Sequence, residues 1–186
     1  MRNLIKRISA LLLCLLLVLS LAVTALAEEA KGTDEAAAAE EGTTLRILRQ
    51  KQFLDFAENC RLDSYSRNLS VVLLTDIDLT GVDFAGIPIF CGNFDGNGHT
   101  ISGLSITRDG SNMGLFRYVD ASALIQNLTV SGEIIPDGSR SAVGGIAGHN
   151  AGKIQNCFFD GTVSGSDDVG GIAGINAITG IIDGCH

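Results

Sequence analysis

The sequence predicts an all-β fold, a parallel β-helix with three strands per rung and about four rungs. Three observations lead there. A short apolar motif recurs every 24–29 residues in the C-terminal half. Gly, Asn, Asp and Ser punctuate the strands between its copies. No stretch inside the repeats has the spacing of an amphipathic helix. A coil of three short strands that returns over itself every 24–31 residues buries one continuous core only by stacking on its neighbours.

Composition narrows the field first. The chain has 186 residues, with 23 Gly, 2 Pro, no Trp and a formal net charge of −8. The Gly has no G-X-Y period, and 46% hydrophobic residues exclude a generally disordered chain. An acidic chain without a basic patch is a poor ligand for phosphate backbones, so no nucleic-acid partner is expected.

Residues 1–27 read as a secretory signal peptide. Arg2, Lys6 and Arg7 precede an apolar run, and Ala25-Leu26-Ala27 forms a small-x-small cleavage site. An uncleaved membrane anchor is the rival, because the apolar stretch extends to near a spanning length. Ser20 and Thr24 favour cleavage, after which no membrane attachment is expected. Cys14 leaves with the peptide, since Leu12 and Leu13 before it do not suit a lipid-attachment cysteine. Removal takes three positive charges and leaves a net of −11. Residues 28–42 (EEAKGTDEAAAAEEG) hold six acids and no large apolar residue, and read as a disordered acidic linker.

Residues 43–80 form an N-terminal cap of strand, helix and strand, and 81–186 form the β-helix repeats. The break is compositional: 43–80 has no Gly and 81–186 has 21 of the 23. Thr44–Leu48 reads as a strand. Gln50–Arg61 reads as a helix with Phe53, Leu54, Ala57 and Cys60 on its apolar stripe. Ser70–Thr75 is a buried strand by its β-branched run. In Asp76-Ile77-Asp78-Leu79 the two acids share one face of an extended segment. Their pairing suggests calcium or catalysis, but bonding to nearby turn amides explains it more simply.

The repeat runs from Thr100. Ile101-Ser-Gly-Leu104-Ser-Ile106, Ile125-Gln-Asn-Leu128-Thr-Val130, Ile154-Gln-Asn-Cys157-Phe-Phe159 and Ile182-Asp-Gly-Cys185 align. A second motif aligns Gly114-Leu115-Phe116 with two identical hexapeptides, VGGIAG, at 143–148 and 169–174. A third aligns Val130–Ile134 with Phe159–Val163. The last two apolar positions of Ile-x-x-Leu-x-Ile share a strand face, and the first breaks parity with them. A bend must therefore sit at x-x. Its second residue is Gly103, Asn127, Asn156 or Gly184, the types that tolerate a left-handed backbone. Asn127 is expected above Asn156, with their amides bonding along the stack. A phosphate-binding glycine loop is excluded for the Gly pairs, because no helix or Lys-Ser/Thr follows.

The stretch VGGIAGHNAGKIQNCFFDGTVSG resembles the GLUG-motif repeats of bacterial secreted and cell-surface proteins. Phe90–Ile101 resembles the segment that precedes those repeats, and LLTDIDL their entry region. The resemblance covers roughly 44–186. It implies a right-handed β-helix whose N-terminal end is capped by the 50–61 helix, and secretion or display on the cell surface. Some members of the family join these repeats to a zinc peptidase that needs His-Glu-x-x-His. His99, His149 and His186 are far apart and none is followed by Glu, so that activity does not carry over.

The search for chemistry yields no catalytic, cofactor-binding or metal site. Cys60, Cys91, Cys157 and Cys185 allow three full pairings. Cys157 and Cys185 occupy one repeat position in adjacent rungs, near enough for a disulfide, but Leu104 and Leu128 hold that position earlier. Buried free thiols are therefore preferred. A polysaccharide lyase or glycosidase would need acids clustered on one face. Asp160, Asp167, Asp168 and Asp183 are the candidates, and turn aspartates bonding local amides explain them better. His99 reads as a turn histidine. The expected function is a non-enzymatic secreted or cell-surface module, a stalk or adhesive surface, with a carbohydrate-active protein as the alternative. Expected partners are a host or cell-wall glycan or a surface protein. The strand motif at Ile182–His186 has no polar cap after it. It suggests the N-terminal part of a longer surface protein, or a partner or self-association at the open rung.

Overall fold

A computed structural model of the chain describes residues 43–138 and 141–186. The readings of 1–27 and 28–42 lie outside the described residues.

In chain order the elements begin with β1 (Thr44–Ile47), α1 (Gln50–Asn59), β2 (Ser70–Leu73), β3 (Ile77–Asp78), β4 (Ile87–Phe90) and β5 (Asn93–Asp95). There follow β6 (Thr100–Ile106), β7 (Phe116–Val119), β8 (Leu124–Gln126), β9 (Thr129–Ile134), β10 (Ser141–Gly144) and β11 (Ala147–Asn150). The last are β12 (Lys153–Gln155), β13 (Phe158–Val163), β14 (Asp167–Gly170), β15 (Ala173–Asn176) and β16 (Ile181–Asp183).

Strands far apart in sequence pair in parallel, which makes the fold a β-solenoid. One sheet runs β1-β2-β5-β8-β12-β16, so its six strands mark five turns. A second runs β3-β6-β9-β13, a third β4-β7-β11-β15, and β10 pairs with β14. The three-strand unit carries a fourth short strand in its later turns. VGGIAG bends at Gly145-Ile146 and divides into two strands instead of running straight. The hexapeptides stack as aligned, with Val143 on Val169 and Ala147 on Ala173.

The core is a set of in-register columns. In the six-stranded sheet Leu45, Val71, Phe94, Ile125, Ile154 and Ile182 stand in one line. Ile101 is absent from it. It lies on the second sheet, between Ile77 and Val130. The segment Ile101–Ile106 shares the spacing of the Ile motif because Gly103, at φ 68°, also adopts the left-handed conformation. There it makes a bulge within β6, where the register slips between Ile101 and Leu104. At the other copies the left-handed residue is a corner between two sheets: Asn127 at φ 53°, Asn156 at 50° and Gly184 at 61°. Phe94 holds the Ile position in the earlier turn, and Asn97-Gly98 turn the corner after it.

The helix occupies 50–59. It buries Phe53, Phe56 and Ala57, followed by Cys60, the i, i+3, i+4, i+7 stripe. Phe56 belongs to that stripe, whereas Leu54 is only partly buried. α1 packs on β1, β3 and β4, the first strand of three different sheets, and so covers that end of the column. Phe56 lies 6.0 Å from Phe90 and 5.9 Å from Phe94, which joins the helix to the stacked core.

Close stacking makes the same glycine matter differently in two turns. A methyl group on Gly145 would stand 2.3 Å from the Gly171 carbonyl oxygen and 2.3 Å from the Phe159 ring. One on Gly171 meets nothing within 4 Å. Gly145→Ala should therefore cost about 2 kcal/mol or more, as overpacking against backbone does, while Gly171→Ala should stay within about 0.5 kcal/mol of the parent. Chemical denaturation of both variants checks this, and equal effects would contradict the stacking register.

Candidate functional site: lateral ladders and the last rung

In a solenoid the inward positions are used up by the core, so recognition or chemistry falls to outward side chains, grooves and ends. Several outward polar groups of this column bind to one another from turn to turn.

The acids at 76 and 78 alternate with buried Ile77 and Leu79, as an extended segment with one solvent face requires. Asp76 Oδ1 accepts from the Thr100 amide at 2.9 Å and lies 3.0 Å from His99 Nδ1. The carboxylate thus ties its own turn to the next one. The Thr100 hydrogen bond first, and His99 second, hold its pKa below the usual aspartate range. Asp78 Oδ1 accepts from the Thr80 amide at 2.8 Å, a local turn contact. The two carboxylates thus hold different partners, Thr100 and His99 for Asp76 and Thr80 for Asp78.

Asp95 performs the same task one turn on. Its Oδ2 accepts from Gln126 Nε2 at 3.0 Å, and its Oδ1 from Asn127 Nδ2 at 3.1 Å and from the Asn97 amide at 2.8 Å. The Asn127 amide thus reaches Asp95 in the turn before it. A ladder of stacked asparagine amides exists instead at Asn150 and Asn176, with Asn150 Nδ2 donating to Asn176 Oδ1 at 2.8 Å. Asn150 is fully buried, in the column that Phe90 and Val119 fill in earlier turns. Sequence reasoning missed Asp95, Asn150 and Asn176. The available signal was the polar residue just before each corner and the shared Asn after both VGGIAG copies.

The four aspartates of the lyase reading sit on three different sheets. Asp160 stacks on Ser131 in β13, Asp167 on Ser141 in β14, and Asp183 on Gln155 in β16. Asp168 falls opposite Ala142, and both are left-handed. All four acids are exposed. Among the described residues no group of three or more His, Cys, Asp or Glu is placed to hold a metal ion.

Cys60, Cys91, Cys157 and Cys185 are free thiols. Burial pushes Cys60 up to about 12, with neighbouring Cys91 adding to the shift, and burial likewise pushes Cys157 up to about 12. Cys185 Sγ lies 3.4 Å from the Cys157 amide nitrogen, as stacking of these positions requires. Buried thiols held in the neutral form are packing groups, not nucleophiles.

Two surface hollows are found among the described residues. One of about 480 Å³ is bordered by Arg67, Cys91, Asn93 and Ser122. The other, about 760 Å³, lies under α1 beside the Asp83–Arg108 ion pair. On the third sheet Tyr118 and His149 stack face to face, with centroids 4.8 Å apart. Among the described residues no helix is long and apolar enough to cross a membrane.

Comparison with known proteins agrees with the repeat reading. Residues 139–164 match the family described as the GLUG motif. Over 146 residues, 73% of this chain, it is 32% identical to Halomucin of Haloquadratum walsbyi. Over 96 residues, 45% of this chain, it is 36% identical to a protein described as a Gly-rich membrane protein of Evansella cellulosilytica. The chain spans 2% of the length of the first and 11% of the second. No solved structure matches it.

The Asp76 tie has a pH signature. A carboxylate whose folded pKa is depressed stabilises the fold above its unfolded pKa, and that contribution fades as pH falls through the folded value. Thermal unfolding between pH 2 and 6 should show a loss of stability on the acid side that is smaller in Asp76→Asn. A parallel pair of curves would show that Asp76 does not tie the two turns.

Proposed function

From a chain that carries the GLUG motif on a parallel β-solenoid, we propose a secreted or surface-displayed structural module. It is a non-enzymatic column that serves as a stalk or an adhesive face. The observation that carries this reading is the use of outward polar groups. Asp76 and Asp95 bind groups of the next turn rather than converging on a hollow. A column held together from outside as well as inside is suited to bearing length and presenting faces. Catalysis instead requires acid and base within reach of one bond, and Asp160, Asp167 and Asp183 stand on separate sheets.

The names of the relatives support the same class. One is a Halomucin and the other a Gly-rich membrane protein, and this chain is similar to a small part of each. The basic, apolar and Ala25-Leu26-Ala27 segments at the start of the chain support export. The lateral faces, lined with Ser, Thr, Asn and Gln, suit a cell-wall or host glycan or a surface protein as partner.

Two measurements on producing cells test the reading together. The chain should begin at Glu28 and be removed from intact cells by added protease or be recovered from the medium. Purified protein should release no reducing ends from acidic polysaccharides. Confinement to the cytoplasm would overturn the location. Cleavage that is lost in Asp160→Asn or Asp183→Asn would overturn the non-enzymatic role.

A further inference from the structure

The hollow of about 760 Å³ under α1 has the size of a small-ligand site, for which about 300–1,000 Å³ is usual. Its wall is drawn from α1, from the 82–86 segment after β3, and from Pro88, Arg108 and Arg117 of the first turns. Leu54, Val82 and Pro88 give it apolar surface, and Asp55, Glu58 and Asp83 give it carboxylates. Each carboxylate already holds a cation. Asp55 pairs with Lys51 at 2.7 Å, Glu58 with Arg61 at 2.9 Å, and Asp83 with Arg108.

Arg117 is left over. Among the described residues it has no carboxylate partner. Its Nε and Nη2 donate to the Asn112 and Ser111 carbonyls at 3.3 Å each, both at the long end of the range for such bonds. That edge of the guanidinium is occupied, and the Nη1–Nη2 edge is not. The stacking does not ask for this residue. The same strand position is Pro88 in the turn before and Gly148 in the turn after. The chain nonetheless makes room for its stem. Gly86 has φ 86°, and a methyl group there would stand 2.9 Å from Arg117 Cγ. A partly buried cation is thus held at the wall of a hollow without a counter-charge of its own.

We propose that this hollow binds a carboxylate-bearing glycan, with the sugar carboxylate on the open edge of Arg117. The planar guanidinium takes a carboxylate through two parallel N–H···O bonds. Ring hydroxyls donate to the outer oxygens of Asp55, Glu58 and Asp83, and the C–H face of a ring lies on Leu54, Val82 and Pro88. The three rim carboxylates select the ligand class. They accept hydroxyl hydrogen bonds and repel a densely charged polyanion. A chain with one carboxylate per sugar and several hydroxyls therefore fits where a polyphosphate does not. An acidic peptide supplies the carboxylate but few hydroxyls for those acceptors. The inference rests on the glycan partner proposed above and adds its site and its chemical class.

The full chain can be titrated calorimetrically with tetramers of galacturonate, mannuronate, galactose and glutamate. At least one uronate tetramer should bind about tenfold more tightly than the galactose and glutamate tetramers, and its affinity should fall as salt is raised. Arg117→Gln should weaken that uronate about tenfold. Arg46→Gln, an exposed cation that does not border the hollow, should leave it unchanged. Arg117→Lys keeps the charge without the fork and should recover only part of the loss. In the parent chain the uronate should shift the NMR amide signals of 82–86 and 111–117 and leave those of 158–183 in place, a readout that needs no variant. Binding of neither uronate, equal binding of the galactose tetramer, unaltered affinity in Arg117→Gln, or shifts confined to other segments would overturn the proposal. Tighter binding of the glutamate tetramer would overturn it in favour of an acidic peptide. None of these results bears on export or display, which the measurements on producing cells test separately.

Discussion

Everything in this molecule depends on one geometric demand. Each turn must set the same side chain above itself, because a slip of one residue moves every inward group to the solvent face. The corner between the first and second sheets meets that demand with a single residue. Asn127, Asn156 and Gly184 take the left-handed conformation, and the parity of the chain changes there and nowhere else on the way to the next strand. The column of Phe94, Ile125, Ile154 and Ile182 is its direct consequence. So is the outward placement of Asp95, Gln126, Gln155 and Asp183, one residue on. The corner thus sets the core and the surface ladder together.

Size follows from position in the column. The aromatic residues gather where α1 closes the first turns, with Phe53, Phe56, Phe90, Phe94 and Phe116 in mutual contact. Farther along, Ala147 and Ala173 follow Ile87 and Phe116, and Asn150 and Asn176 follow Phe90 and Val119. The later turns exchange apolar bulk for a buried hydrogen-bonded amide. A buried amide is tolerable only with its partners supplied, and Asn150 has Asn176 and the Gly152 amide. The repeats are alike in path while differing in what fills them.

Much of this was legible in the sequence because it depends on residue type at fixed spacing. The left-handed corners, the stacking of the VGGIAG copies, the Asp76–Asp78 face and the helix at 50–59 all follow from local rules. The place of Ile101 was not legible. A bulge at Gly103 and a corner at Asn127 demand the same residue types, and only the pairing of β6 with β9 tells them apart. The count of strands was also hidden, because a bend at a Gly pair leaves the apolar pattern of VGGIAG intact. Asp95, Asn150 and Asn176 were missed for a related reason. A polar residue that bonds to the next turn looks in one dimension like any solvated residue.

The most direct test of the account is a pair of substitutions at one corner, with Asn156→Gly and Asn156→Val compared by equilibrium unfolding. The left-handed corner predicts that Gly stays close to the parent, while the β-branched residue costs about 1–2 kcal/mol more. Equal stability of the two variants would contradict it, because a corner indifferent to a branched side chain cannot be what sets the register of the column.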